Sequence, residues 1–324
     1  MSAEAVPQVD PVFDPAHVGA SLDAIKGRLP LNALWLRGNI VGEMVSKRRG
    51  QGYDVDGVRP YVPGDDPRYI DHNITARQPD QWPQLREHYA DVTPNLWLVT
   101  DALQSRNSFN PGYFSEQRLA LSAVTAFMRI AQIEGVPAAS LASNDHKIIE
   151  QRRPGQGKAH ILKTAKFLAG GMNESRDRGA GEIITPPSLS ALLRYAGKRC
   201  AEDIVVVVSD FRDTAGPSDA INGWKPALDT LAKQGNNLIA VELTNPWDYQ
   251  LPTTADRLTT GQGVMWIGSG KRGRQYRADY AEAALEQQAK IDASLAAAGA
   301  HHIKLATDQS RWVASFRDQI NRQA

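Results

Sequence analysis

Two aspartates stand where a parallel sheet would place chemistry. Asp101 follows the aliphatic run Leu96-Trp97-Leu98-Val99, and Asp210 follows the run Ile204 to Ser209. In an open α/β sheet, ligands bind beyond the carboxyl ends of the strands. If the two runs are parallel neighbours, both carboxylates project at one edge. With Ser105 and Ser209 they then offer the hard oxygen donors that Mg²⁺ selects. A lone aspartate at a strand end ordinarily caps the following turn; two such ends together single these residues out.

The second cluster is Gly50 to Arg77, rich in Gly, Pro and Asp. Pro63-Gly64 fits a tight turn, and Asp66 followed by Pro67 reads as the cap and first residue of a short helical turn. Arg59, Arg68 and Arg77 lie among Asp54, Asp56, Asp65, Asp66 and Asp71, which suits charge-assisted pairs holding a loop-rich piece in shape. No histidine, cysteine or serine here has an evident nucleophile-and-base partner, so a structural role is expected. Arg68 is expected to be partly buried against Asp65 or Asp71, so that Arg68→Ala lowers stability more than it affects partner binding. Gly155-Gln156-Gly157-Lys158 is not a phosphate loop, because Arg152 stands where a glycine is needed and Ala159 where Ser or Thr is needed. His301 and His302, adjacent on an expected strand, point to opposite faces and share no metal.

The elements that position these residues follow from hydrophobic patterning. Leu96 to Val99, Ile204 to Val208, Leu238 to Val241 and Ile303 to Leu305 read as strands, the first three apolar on both faces as buried parallel strands are. They alternate with amphipathic helices: Ser115 caps one, and the Ala-rich stretch from Tyr280 to Ala298 forms another that Gly299 stops. This alternation predicts an α/β domain over 95–324, a central sheet with helices on both faces. An extension over 21–94 precedes it, with short helices broken near Pro30, and residues 1–20 read as a flexible tail.

Composition narrows the function classes. The 37 Lys+Arg nearly cancel the 36 Asp+Glu among 324 residues, which leaves no overall electrostatic footprint for nucleic acid. A single cysteine, Cys200, excludes internal disulfides and thiolate metal clusters. No apolar run approaches the ~20 residues of a membrane span, and the N-terminus lacks a signal-like apolar region, so a cytoplasmic protein is expected.

Arg59-Pro60-Tyr61-Val62-Pro63-Gly64-Asp65-Asp66-Pro67-Arg68, followed by Ile70-Asp71 and Arg77, resembles the signature of the domain of unknown function 58 family. Ser209-Asp210-Phe211 resembles that family's second acidic motif, and Gly299 through Asp308 its last strand and turn; His72 stands where the family usually has Trp. The resemblance implies a von Willebrand factor A-like (Rossmann-like) domain, typically associated with MoxR-type AAA+ ATPases, and a metal-ion-dependent adhesion site. That site's Asp-x-Ser-x-Ser motif here reads Asp101-Ala102-Leu103-Gln104-Ser105, with Leu103 replacing the first serine; Asp210 matches its later aspartate, and Lys158 falls at the threonine position. The resemblance thus implies a degenerate site in which Lys158 replaces the ion. No cofactor is expected, and Mg²⁺ is the one ion the remaining Asp101, Ser105 and Asp210 would suit.

The function this implies is a non-enzymatic adaptor or co-chaperone that couples a MoxR-type AAA+ ATPase to a client protein. The alternatives are a metal-dependent hydrolase using Asp101 and Asp210, and a structural subunit of a larger assembly.

Overall fold

The computed structural model describes residues 45–49, 55–63, 65–77, 82–91, 94–104, 115–151, 153–176, 187–212, 220–253, 257–260, 263–308 and 312–323. The expected tail and the helices expected before Val45 lie outside these residues. The chain divides into two compact units between Pro94 and Asn95.

The first unit holds a three-stranded antiparallel sheet, β1 (Val45–Arg49), β2 (Val55–Pro60) and β3 (Gln84–Asp91), in the order β1-β3-β2. Between β2 and β3 the chain makes a 3-10 turn, Pro67–Tyr69, and the short helix α1 (His72–Arg77). Asp66 caps the turn as expected, its Oδ1 accepting from Arg68 N at 3.0 Å. The connection folds back on β3: Tyr61 N donates to Pro83 O and Asp71 N to Gln84 O, both at 2.7 Å.

The second unit contains β4 (Leu96–Thr100), α2 (Glu116–Glu134), β5 (Ala138–Ser143), β6 (Ile148–Glu150), α3 (Lys158–Arg176), α4 (Leu189–Ala196), β7 (Ile204–Ser209) and α5 (Ala220–Lys233). There follow β8 (Asn237–Thr244), the hairpin β9 (Arg257–Thr260) and β10 (Gly263–Trp266), α6 (Gly270–Ala297), β11 (His301–Ala306) and α7 (Trp312–Gln323). Six strands form one sheet in the order β11-β8-β7-β4-β5-β6, parallel except for β6 at the edge. Every residue of β4 and β7 is buried, which is why these strands read as unbroken aliphatic runs. Trp97, Val99, Val205, Val207 and Leu238 face a core shared with α4, α5 and α6, including Leu192, Trp224 and Leu295. On the other face α2 packs on β4, β7 and β8, and Phe127 of α2 meets Phe316 of α7 edge-on at 5.3 Å.

Two departures from the sequence pattern have local causes. β5, Ala-Ala-Ser-Leu-Ala-Ser, is a central buried strand built of small residues, which carry little strand signal of their own. Helix α6 starts at Gly270, ten residues before Tyr280, because its first turns are polar and basic and have no apolar stripe to betray them. At the amino edge of the sheet, Asp203 joins three strands. Its carboxylate accepts from Asn95 N (2.8 Å), Asn95 Nδ2 (3.2 Å) and Trp97 Nε1 (3.0 Å), while its backbone N–H donates to Asn236 Oδ1 (3.0 Å). Among the described residues, no helix is long and apolar enough to cross a membrane.

Candidate functional site

The strand order creates a switch point. From β4 the chain crosses to β5 on one side, whereas β7 lies on the other side of β4, so connections leave the carboxyl edge in opposite directions and open a crevice between β4 and β7. Thr100 pairs with Val208, which sets Asp101 and Asp210 at the same edge on neighbouring strands. Both are buried, at 1% and 7% exposure.

Short-range hydrogen bonds shape the two loops. Thr100 Oγ1 accepts from Ala102 N (3.1 Å), Ser209 Oγ from Phe211 N (3.0 Å) and Asp210 Oδ1 from Arg212 N (3.0 Å). Gln117, in the first turn of α2, donates through Nε2 to Leu103 O and Gln104 O. Gln104 Nε2 in turn donates to Pro187 O at 2.9 Å. From the β8 end, Asn245 Nδ2 donates to Glu116 Oε1 at 2.7 Å. Four connections thus converge on one polar rim.

Between Asp210 and Arg212, Phe211 takes a left-handed backbone, φ 55°. A bulky residue is strained there and stays only where its surroundings hold it. Its ring is fully buried edge-on against Trp224 at 5.3 Å, and its carbonyl accepts from Trp224 Nε1 at 3.1 Å. This turn directs Arg212 inward. Its Nη1 donates to Asp248 O (3.3 Å), its Nη2 to Gln288 Oε1 (3.1 Å), and its guanidinium lies 5.4 Å from the Tyr249 ring centre. Burial works against the Arg212 charge, but Asp248, Tyr249, Asp210 and Glu242 outweigh it and raise its pKa further. Burial pushes the Asp248 carboxyl up to about 6, with Arg212 pulling the other way.

Beside this network Glu242 is fully buried, its Oε2 accepting from Gln288 Nε2 (3.0 Å) and lying 2.8 Å from His302 Nε2. Glu242, Asp292 and His302 bring three ligand-type atoms within 4.8 Å of one another. Lys304 Nζ, however, sits 2.8 Å from Asp292 Oδ1 and 3.8 Å from Glu242 Oε2, so an ammonium already compensates the cluster.

The expectation for Lys158 is corrected. After β5 the chain reverses into antiparallel β6, and Gly155 then bridges Ala138 at the start of β5 through two 2.9 Å bonds. Lys158 follows three residues later, exposed, at the amino edge. Five residues of β5 separate that level from Asp101, about 16 Å at strand rise, beyond a lysine's reach. The cation that interacts electrostatically with Asp210 is Arg212, two residues on, which nothing in the sequence pattern singles out. Leu103 is fully buried and packs on α3, where a Cβ added to Gly171 would come within 3.2 Å of Leu103 Cδ1. Ser105 lies outside the described residues. The described residues therefore fit Mg²⁺ poorly: the Leu103 side chain offers no oxygen and its carbonyl is taken by Gln117, while the Arg212 cation acts on Asp210 electrostatically.

In the first unit the signature residues are held by pairs other than the expected one. Arg59 forks onto Asp65 with two 2.7 Å bonds, and Asp65 Oδ2 also accepts from Val62 N at 2.9 Å. The Arg59 hydrogen bonds, then the Val62 amide, lower Asp65 to about 2. Asp71 accepts from Asn73 N, Ile74 N and Arg86 Nε, the last at 2.6 Å. Arg68, expected to be partly buried against these carboxylates, is exposed, as is Arg77; Tyr61 is half-buried, Pro63 exposed, and Gly64 lies outside the described residues. Arg59→Ala is therefore expected to lower the melting temperature of this unit and Arg68→Ala to leave it unchanged, as read by calorimetry. Because the Asp65 pKa is depressed, the pair's contribution holds above about pH 4 and disappears as pH falls through about 2.

The family described as "Protein of unknown function DUF58" matches residues 57–290. Uncharacterized proteins of Mycobacterium bovis and Mycobacterium tuberculosis are each 26% identical to this chain over 282 residues, which cover 87% of this chain and 83% of theirs.

Proposed function

The chain belongs to the DUF58 family, and from that premise we propose that it is a non-enzymatic protein-interaction module, an adaptor or co-chaperone that couples a MoxR-type AAA+ ATPase to a client. Its sheet unit is read as a von Willebrand factor A-like domain whose adhesion site has lost its ion. The observation that supports this reading is the pair Asp101 and Asp210 buried at the switch point, with Leu103 in place of a hydroxyl side chain and the Arg212 amide bonded to Asp210 Oδ1. The hydroxyls of Thr100 and Ser209 accept from their own loop amides, so they serve loop shape. A partner's carboxylate or acidic loop can then meet the rim directly, without a bridging cation.

Calorimetric titration with Mg²⁺ and Mn²⁺, run beside assays of ester and phosphoester hydrolysis, tests this assignment. The expected result is weak or no metal binding and no Mn²⁺-dependent turnover. Tight binding abolished by Asp101→Ala, with hydrolysis lost in Asp210→Ala, would make the rim a metal-dependent hydrolase instead.

A further inference from the structure

Between Arg257 and Ala278 the sequence carries five Lys and Arg and no Asp or Glu, in a chain whose totals of 37 and 36 balance. This stretch forms the β9–β10 hairpin and the first turns of α6. Its base is fixed: Ile267 is buried with Leu251, beside Trp247 and Tyr280, and Tyr280 OH donates to Trp247 O at 2.9 Å. Gly268 and Gly270 take φ values of 80° and 62°, which suit glycine, and a Cβ on Gly273 would lie 2.1 Å from Gly268 O. The turn is thus closed tightly, and it leaves Trp266 (69% exposed), Lys271, Arg272 and Arg274 facing outward.

Both features are unfavourable for the chain alone. An exposed tryptophan forgoes burial, and cations in the first turn of a helix oppose its dipole. The first turn of α6 contains no acidic residue, and Ser269 makes no side-chain capping bond.

We propose that Trp266, Lys271, Arg272 and Arg274 form a docking surface for an acidic segment of a partner protein. The partner's carboxylates meet the three cations, and an apolar side chain covers Trp266. This inference rests on the interaction reading above and adds the chemistry of the partner. A protein is favoured over a membrane or nucleic acid by two features. Trp and Arg are the residue types that dominate protein-interface energetics. The surface is also continuous with the candidate rim through the turn Pro246–Asp248: Arg212 holds Asp248 O, and Trp247 packs beside Ile267.

The test is fluorescence anisotropy of labelled poly-L-glutamate with the full chain, its Lys271→Gln/Arg272→Gln/Arg274→Gln variant, and Trp266→Ala. Wild-type binding should weaken with salt and fall at least about tenfold in the triple variant. Lys271→Glu should lose binding while melting at a higher temperature than wild type, because it repairs the dipole mismatch. Undiminished binding by the triple variant overturns the proposal. So does tighter binding to phosphatidylserine vesicles or single-stranded DNA that the same substitutions abolish. A chain that binds poly-glutamate through these residues yet captures no AAA+ ATPase supports this surface and sinks the named partner. Capture of the ATPase undiminished by the triple substitution overturns this surface and leaves the adaptor reading standing.

Discussion

Asp203→Ala is expected to lower the unfolding free energy of the sheet unit by about 3 kcal/mol. The carboxylate is buried and accepts from the backbone and side chain of Asn95 and from Trp97 Nε1. Alanine leaves the Trp97 N–H, itself in the core, without an acceptor, and each buried donor so stranded costs about 1–3 kcal/mol. Asp203→Asn keeps one acceptor oxygen and should cost about half as much. Urea unfolding followed by tryptophan fluorescence gives both values. A loss below about 1 kcal/mol for Asp203→Ala would mean that the amino edge is not held as described.

Arg212→Ala should be comparably damaging, at about 2–4 kcal/mol near neutral pH, because it leaves Gln288 Oε1 with Tyr249 OH alone as its donor and removes the cation from among Asp210, Asp248 and Glu242. The effect carries a pH signature. In the folded chain Asp248 is raised from 3.8 to about 6, so the folded state binds the proton more tightly than the unfolded state does. Its contribution to stability is present below about pH 4 and is lost as pH rises through about 6. Without Arg212 the opposing pull disappears and the Asp248 pKa rises further. The deficit of Arg212→Ala should therefore be largest at pH 8 and shrink at pH 5. Adding Asp248→Asn should recover part of it in a double-mutant cycle. A deficit independent of pH would mean that Arg212 acts by packing alone.

How much of this was legible in the sequence depended on whether a residue's role was set locally. β4, β7 and β8 are legible because strands buried on both faces must be aliphatic, and the edge strand β11 because its buried Ile303 and Leu305 alternate with half-buried neighbours. The Ser115 and Asp66 caps were readable for the same reason: an N-cap bonds an amide two or three residues away. β5 was not, since its small residues matter only for what packs against them. The place of Lys158 is not legible, since it depends on the chain reversing after β5 and returning to the amino edge. The reversal is made at Asn144, whose Oδ1 accepts from His146 N and Lys147 N, a turn that an Asn-Asp pair could have suggested. Arg212 was missed because its direction depends on the left-handed Phe211, which Trp224 enforces from far along the chain. Arg86, the partner of Asp71, is not legible because it is distant in sequence and reaches Asp71 only through strand pairing.

The most direct test of the central claim is affinity capture from the native lysate on immobilised full chain, with a slowly hydrolysed ATP analogue, read by mass spectrometry beside an Asp210→Ala control. The expected result is enrichment of a AAA+ ATPase of the MoxR type that is lost in the control. Absence of any such ATPase from the wild-type sample would contradict it.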